Sequence, residues 1–342
     1  KGASNATLSL LTIQCIGNEQ PEARAMLNID ASPVLRHVDI YSSNAVNYTI
    51  GIENQGSAPT SGSKPVLEDV TIQVNNDPGD AGTLYGVINL DSSYSTLHNV
   101  DIHAFNADTG FGIYNFDSTG FDITDSSIAT INITSTTGVQ TSGPLSRLDH
   151  VVMDITGNGN ATGIDALHGV IDIRNLDLTV VGDGYVTGIV TAGIQEWFDS
   201  TVRVNVDKSY GTVMGIANIN LPIGNLTLNR FEILVGGDNS VGLHNQDSSA
   251  SLNRTRIEAS GFAYSYGIYN ISLGGPGPLT LTVMNSQIQG SMMAIVTAPP
   301  FQTQIGASYL GAPAAGPAVL GPAICAGVYN ILFAFFPGPA CP

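Results

Sequence analysis

Three carboxylates, Asp117, Asp122 and Asp125, lie close together in the sequence. Carboxylates so placed could share general-acid and general-base work at a glycosidic bond. They could also offer hard oxygen ligands to a divalent cation. A lyase would need a basic residue beside them as well, and no Lys or Arg occurs between Lys64 and Arg147. Asp is also a default turn residue, because its side chain bonds its own backbone. These three fall at or near turns between short strands, so they are expected to be turn acids and not a catalytic set.

Further acids precede several glycines: Asp77 and Asp80, Asp108, Asp183 and Asp238. Stacked in a row they could hold Ca²⁺, but the calcium-binding Gly-Gly-x-Gly-x-Asp nonapeptide is missing, and turn chemistry accounts for them. The six histidines include no His-x₃-His pair of the kind that binds zinc on a helix. His98 and His103 are expected on the surface. No nucleophile elbow or phosphate-cradling loop occurs. The sequence therefore assigns no catalytic residue, no metal site and no cofactor.

The remaining chemistry is that of cysteine. Cys325 and Cys341 bracket an apolar segment, and a disulfide between them would staple the C-terminal region, in place of two buried thiols. Such a bond implies an oxidising compartment. Cys15 is expected as a buried small hydrophobe. A chain beginning at Lys1 with no leader is what a mature secreted protein would show. The most apolar run, 323–336, is too short to span a bilayer, so no membrane insertion is expected.

The formal net charge is −17, and the only lysines are Lys1, Lys64 and Lys208. Phosphate backbones are held by Lys and Arg, so nucleic acid is excluded as a partner. Asp outnumbers Glu about three to one. That bias favours turns over helices.

These residues are carried on a repeat. A Gly followed by an aliphatic residue recurs at Gly51-Ile52, Gly86-Val87, Gly112-Ile113, Gly138-Val139, Gly163-Ile164, Gly188-Ile189, Gly215-Ile216, Gly242-Leu243 and Gly267-Ile268, with Ala294-Ile295 as a degenerate copy. The spacing is 25–27 residues after a first gap of 35, in which residues 56–63 read as an inserted loop. Three residues after the Gly stands Asn54, Asn89, Asn115, Asn218, Asn245 or Asn270. Stacked coils would bring these amides about 4.8 Å apart, within reach of a hydrogen-bonded ladder. A second strand precedes each Gly, as in Val38-Asp39-Ile40, Val70-Thr71-Ile72 and Val100-Asp101-Ile102, with the period-2 alternation of one buried face. Asp69, Asn99, Asp125, Asn175 and Asn285 recur just before it as a second polar corner. Helical periodicity is confined to Glu19 to Leu27, where one short helix is expected.

The segments Leu97-His98-Asn99-Val100-Asp101-Ile102 and Gly112-Ile113-Tyr114-Asn115, with Tyr266-Gly267-Ile268-Tyr269-Asn270, resemble the pectate-lyase-like superfamily of right-handed parallel β-helices. They are most similar to bacterial secreted β-helix repeat proteins, and the Cys-bounded C-terminal segment from Cys325 to Cys341 is similar to the tails of such proteins. The resemblance implies a fold and leaves function open, because one fold hosts lyases, hydrolases, tailspikes, adhesins and passive scaffolds.

The expected architecture is all-β, a single right-handed parallel β-helix of about ten coils. Its parts are a first coil or cap at 1–32, repeats over 33–311, and an apolar, disulfide-stapled tail at 312–342. The expected function is an extracellular or cell-surface structural protein, not an enzyme, that associates with itself through the solenoid ends. Ile331, Leu332, Phe333, Phe335 and Phe336 are the expected contact residues. The alternatives are a carbohydrate- or host-surface-binding adhesin or tailspike-like module, with polysaccharide as partner, and then a polysaccharide lyase or hydrolase.

Overall fold

The computed structural model describes residues 4–57, 62–77, 81–192, 194–206, 211–219, 225–274, 278–312, 317–330, 335–336 and 341–342. Among them every regular element is a strand, and they wind as a β-solenoid of about 11 turns. The chain divides into two compact units, Lys1–Thr179 and Val180–Pro342.

The helix expected over Glu19 to Leu27 is absent. That segment enters the strand Glu22–Ile29, which pairs in parallel with Tyr48–Gln55. The apolar spacing belongs to an extra coil in which Ala25-Met26 stands where later coils have Gly and an aliphatic residue, with Met26 level with Ile52 and Asn28 level with Asn54. With Ala25 in place of the glycine this coil lacks the Gly-aliphatic signature, and the solenoid has about 11 turns in place of about ten.

In the first unit the third strands of successive coils stack in parallel, aligning Met26, Ile52, Val87, Ile113, Val139 and Ile164. In the second, Ile189, Ile216, Leu243, Ile268, Ile295 and Val319 align in the same way. The nine aliphatic residues that follow the repeat glycines are fully buried. Each such side chain contributes about 1.5–3 kcal/mol. The glycines are required by close approach. A Cβ on Gly86 would lie 2.4 Å from Ile102 Cγ2 and 2.5 Å from Gly112 O, and one on Gly215 would lie 2.3 Å from Ile233 Cγ2.

The second corner is a left-handed residue in nearly every coil. Asp69, Asn99, Asp125 and Asn175 adopt it in the first unit, as do Leu10, His37 and His150; Asp199, Arg230, Arg254, Asn285 and Ala307 adopt it in the second. The kink resets the strand alternation, so that residues three apart, such as Leu35 and Val38, are both wholly buried. Asn and Asp tolerate this conformation because their short polar side chains bond locally.

The terminal coils differ from the rest. Ser4–Ile16 pairs with Ser32–Ser43, and its Leu8, Leu11, Ile13 and Cys15 remain partly exposed, whereas their register partners Leu35, Val38, Ile40 and Ser42 are buried. Cys15 is thus not the buried residue expected of it, because no described strand stacks on the other side of this coil. At the other end, Val328–Asn330 pairs in parallel with Tyr309–Gly311 and antiparallel with Phe335–Phe336. Cys325 is bonded to Cys341, and Ala318 N donates to Pro342 O at 3.1 Å.

Candidate functional site

The three clustered acids do not converge. Asp117 and Asp125 occupy left-handed corners, while Asp122 stands on the outer face of the first strand of its coil, partly exposed. There the parallel register brings together residues one coil apart: Thr96, Asp122, Arg147 and Asp172 form one row, and His98, Thr124, Asp149 and Arg174 the next. The basic residue that the local sequence lacked is therefore supplied by the neighbouring coil, and the coil period was the signal that could have found it.

The result is a checkerboard of opposite charges. Arg147 reaches Asp149 at 2.6 Å and Asp122 at 3.9 Å, and Arg174 reaches Asp172 at 3.0 Å. Asn175 donates to Asp149 at 2.9 Å and His150 Nδ1 lies 2.9 Å from it. Burial pulls the Asp149 carboxyl upward, but the hydrogen bonds from Asn175 and Arg147 and the nearby His150 and Arg147 charges hold it below its ordinary value. Beside it, burial and then the Asp122 charge push the Tyr94 hydroxyl up, against the opposing pull of Arg147. A guanidinium engaged by carboxylates and a phenol held protonated are poorly suited to abstract a proton. Partly exposed pairs of this kind add little stability individually. Their arrangement fixes which residue sits opposite which, since like charges directly opposite are unfavourable.

Of the acids preceding glycines, Asp77 lines an open hollow with Asn18, Glu19 and Asn44, and Asn44 Nδ2 lies 3.4 Å from it. Asp80 lies outside the described residues. Among the described residues, no three His, Cys, Asp or Glu side chains gather as a metal site would require. His98 is exposed, 3.4 Å from Asp125 and 3.0 Å from Thr124 Oγ1.

The asparagines face inward. In the first unit Asn28 Nδ2 donates to Asn54 Oδ1 at 2.8 Å and Asn54 Nδ2 to Asn89 Oδ1 at 2.9 Å. The run then breaks, because Asn89 donates to Ser95 within its own neighbourhood and Asn115 to Thr141. In the second unit Asn218 donates to Asn245 at 2.6 Å, Asn245 to Asn270 at 3.3 Å and Asn270 to Thr297 at 3.1 Å. Within each unit every amide-to-amide bond of this inward row is donated toward the C-terminal coil, so each run has a direction.

The outer face of the third strands carries aromatic side chains. In the first unit Tyr85 and Phe111 stack at 5.3 Å with planes 6° apart, and Tyr114 and Phe116 stack at 6.1 Å. Burial first, and then Tyr114 and Tyr48, push the Tyr85 hydroxyl up to about 12. Tyr85 and Phe111 turn their faces to one another across adjacent coils, which serves cross-strand cohesion, whereas Tyr114 and Phe116 pair along one strand. In the second unit Tyr266 stacks on Tyr269 at 5.5 Å, and His244 meets Tyr269 edge-on at 5.6 Å.

Of the residues expected to mediate self-association, Ile331, Leu332 and Phe333 lie outside the described residues. Phe335 is exposed and packs at 5.1 Å on Tyr329, and Phe336 is partly exposed opposite Val328. No family model, curated protein or solved structure matches this chain.

Proposed function

We propose that this protein is a non-enzymatic extracellular structural solenoid whose copies associate end to end through their terminal coils. The observation that carries this reading is the first coil. Ser4–Ile16 is a long strand hydrogen-bonded to Ser32–Ser43 along one edge, and its inward Leu8, Leu11 and Ile13 are partly exposed where the next coil's equivalents are fully buried. Unpaired strand edges recruit other strands unless they are blocked. The C-terminal coils add exposed Leu320, Ile324 and Phe335. A contact between unlike ends is heterologous and builds an open filament.

The disulfide supports an oxidising, extracellular setting, and the coil motifs support a pectate-lyase-like architecture with the right-handed winding common to it. The carbohydrate-binding alternative draws less support from the aromatic row of the first unit, because Tyr85 and Phe111 each cover one face of the other.

Negative-stain electron microscopy and sedimentation of the purified chain test the reading. Wild type is expected to form particles longer than one chain, and Leu11→Glu with Ile13→Glu is expected to shorten them to single chains while far-UV circular dichroism stays unchanged. A wild-type chain that remains monomeric at all concentrations, or a variant that assembles as wild type does, overturns it.

A further inference from the structure

The terminal coils are finished differently. Among the described strands, Ser4–Ile16 is paired along one edge only. At the other end the chain folds back over its last coil. Phe335–Phe336 lies antiparallel on one edge of Val328–Asn330, setting Phe336 against Val328 and Phe335 against Tyr329, while Tyr309–Gly311 holds the opposite edge. Pro342 O accepts from Ala318 N at 3.1 Å, just ahead of the third strand Val319–Leu320. Cys341 is bonded to Cys325 of the first strand, Ala323–Ala326. Phe335–Phe336 thus occupies an edge that would otherwise recruit another strand, and Cys341 and Pro342 tie the same stretch of chain to the other two strands of the coil.

We infer that Phe335–Phe336 is a lid on the C-terminal edge, that the Cys325–Cys341 bond is its latch, and that opening the bond releases end-to-end growth. The inference rests on the end-to-end reading above and adds its regulation. Addition of another copy's first coil needs the edge of Val328–Asn330 that Phe335–Phe336 occupies, so the lid must leave before a copy adds. Its own hold is slight: two residues of ladder and the contact of Phe335 with Tyr329 at 5.1 Å, with Phe335 still exposed. The bond supplies the rest. Closing a loop of sequence separation 16 restricts the open chain by on the order of a hundredfold. Access points to Cys341, which is partly exposed, whereas Cys325 is buried. A dithiol supplies the two electrons. Its thiolate attacks the Cys341 sulfur, and Cys325 leaves as a thiolate and takes up a proton. The second sulfur of the dithiol then displaces Cys341, which takes up the other proton, and closes a cyclic disulfide. Oxidising surroundings keep the latch shut, so growth stays slow until a thiol reaches it.

Light scattering and electron microscopy compare growth of the oxidised chain, the same chain in dithiothreitol, and Cys341→Ser, with far-UV circular dichroism on each. Dithiothreitol and Cys341→Ser are each expected to speed growth by about tenfold or more, and reoxidation of the wild type is expected to restore the slow rate. Cys341→Ser is expected to be indifferent to dithiothreitol; a response would assign the effect to the free thiol of Cys15 and overturn the latch. Phe335→Gly with Phe336→Gly weakens the lid and leaves the bond in place, so it is expected to speed growth of a chain that remains stapled. If all these chains grow at the same rate, the latch is wrong while the end-to-end reading stands. Slower growth on opening the bond also overturns it, because the segment would then be a docking surface and not a stop. If dithiothreitol still speeds assembly of the Leu11→Glu, Ile13→Glu chain, the first coil is not the adding strand, so the end-to-end reading falls and the latch stands. A wild type that is monomeric both oxidised and reduced overturns both.

Discussion

Asn54 and Asn89 are 35 residues apart in sequence and joined by a 2.9 Å hydrogen bond, from Asn54 Nδ2 to Asn89 Oδ1. Both are wholly shielded from solvent. Asn54 also accepts from Asn28, so Asn54→Ala strands a donor below it and an acceptor above. Unpaired buried groups cost about 1–3 kcal/mol each. The variant is expected to lose roughly 2–5 kcal/mol in urea unfolding. A loss below about 0.5 kcal/mol, the range of ordinary surface changes, would show that the ladder contributes nothing to stability.

A Cβ at position 215 has nowhere to go between Ile233 Cγ2 at 2.3 Å and Gly242 O at 2.5 Å. Gly215→Ala is therefore expected to destabilise by about 1–3 kcal/mol through overpacking, although Ala would stabilise an unconstrained site. Equal or raised stability in thermal unfolding would refute the close-approach account of the repeat glycine.

Burial lowers the His244 pKa from its ordinary 6.5, and its Nε2 is buried without a hydrogen bond. The unfolded chain binds this proton more readily, so stability is retained above pH 6.5 and lost as pH falls from there through the folded value. His244→Phe should flatten that part of the stability–pH curve relative to wild type. Parallel curves for the two proteins would contradict the assignment.

Tyr85 shows the opposite sign. Its folded pKa is raised from 10 to about 12, so the stability it contributes is present below pH 10 and is lost as pH rises toward 12. Absorbance of tyrosinate in wild type minus Tyr85→Phe is expected to titrate near 12. A difference spectrum with a midpoint near 10 would mean the ring is solvated.

The Cys325–Cys341 bond closes a loop of sequence separation 16. Chain-entropy reasoning gives about 3 kcal/mol for a loop of roughly this size. Cys341→Ser is expected to lower the unfolding midpoint of the C-terminal coils accordingly, monitored by hydrogen exchange at Cys325 and Val328. Unchanged protection there would show that the staple does not hold these strands.

The sequence by itself determined the coil. Gly86-Val87, Gly112-Ile113 and Gly138-Val139 recur because each coil must pass the same narrow point against its neighbour, and a steric demand repeated in space is written as a period in the chain. Asp69, Asn99 and Asn175 announced a polar corner; that its backbone is left-handed, and that Leu10, His37, Arg230 and Ala307 take the same conformation, was decided by the folded chain. What the sequence left open was which of the possible cross-coil pairs form and what lies beyond the last coil. Met26 opened an extra coil without the expected glycine, and Cys15, apolar and inward, stayed partly exposed for want of a neighbour. Arg147 found Asp122 only because stacking makes residues one period apart adjacent. The ladder stopped at Asn89, whose amide donates to Ser95 and not to Asn115. Local sterics are legible residue by residue; pairing across coils depends on distances that only the folded chain defines.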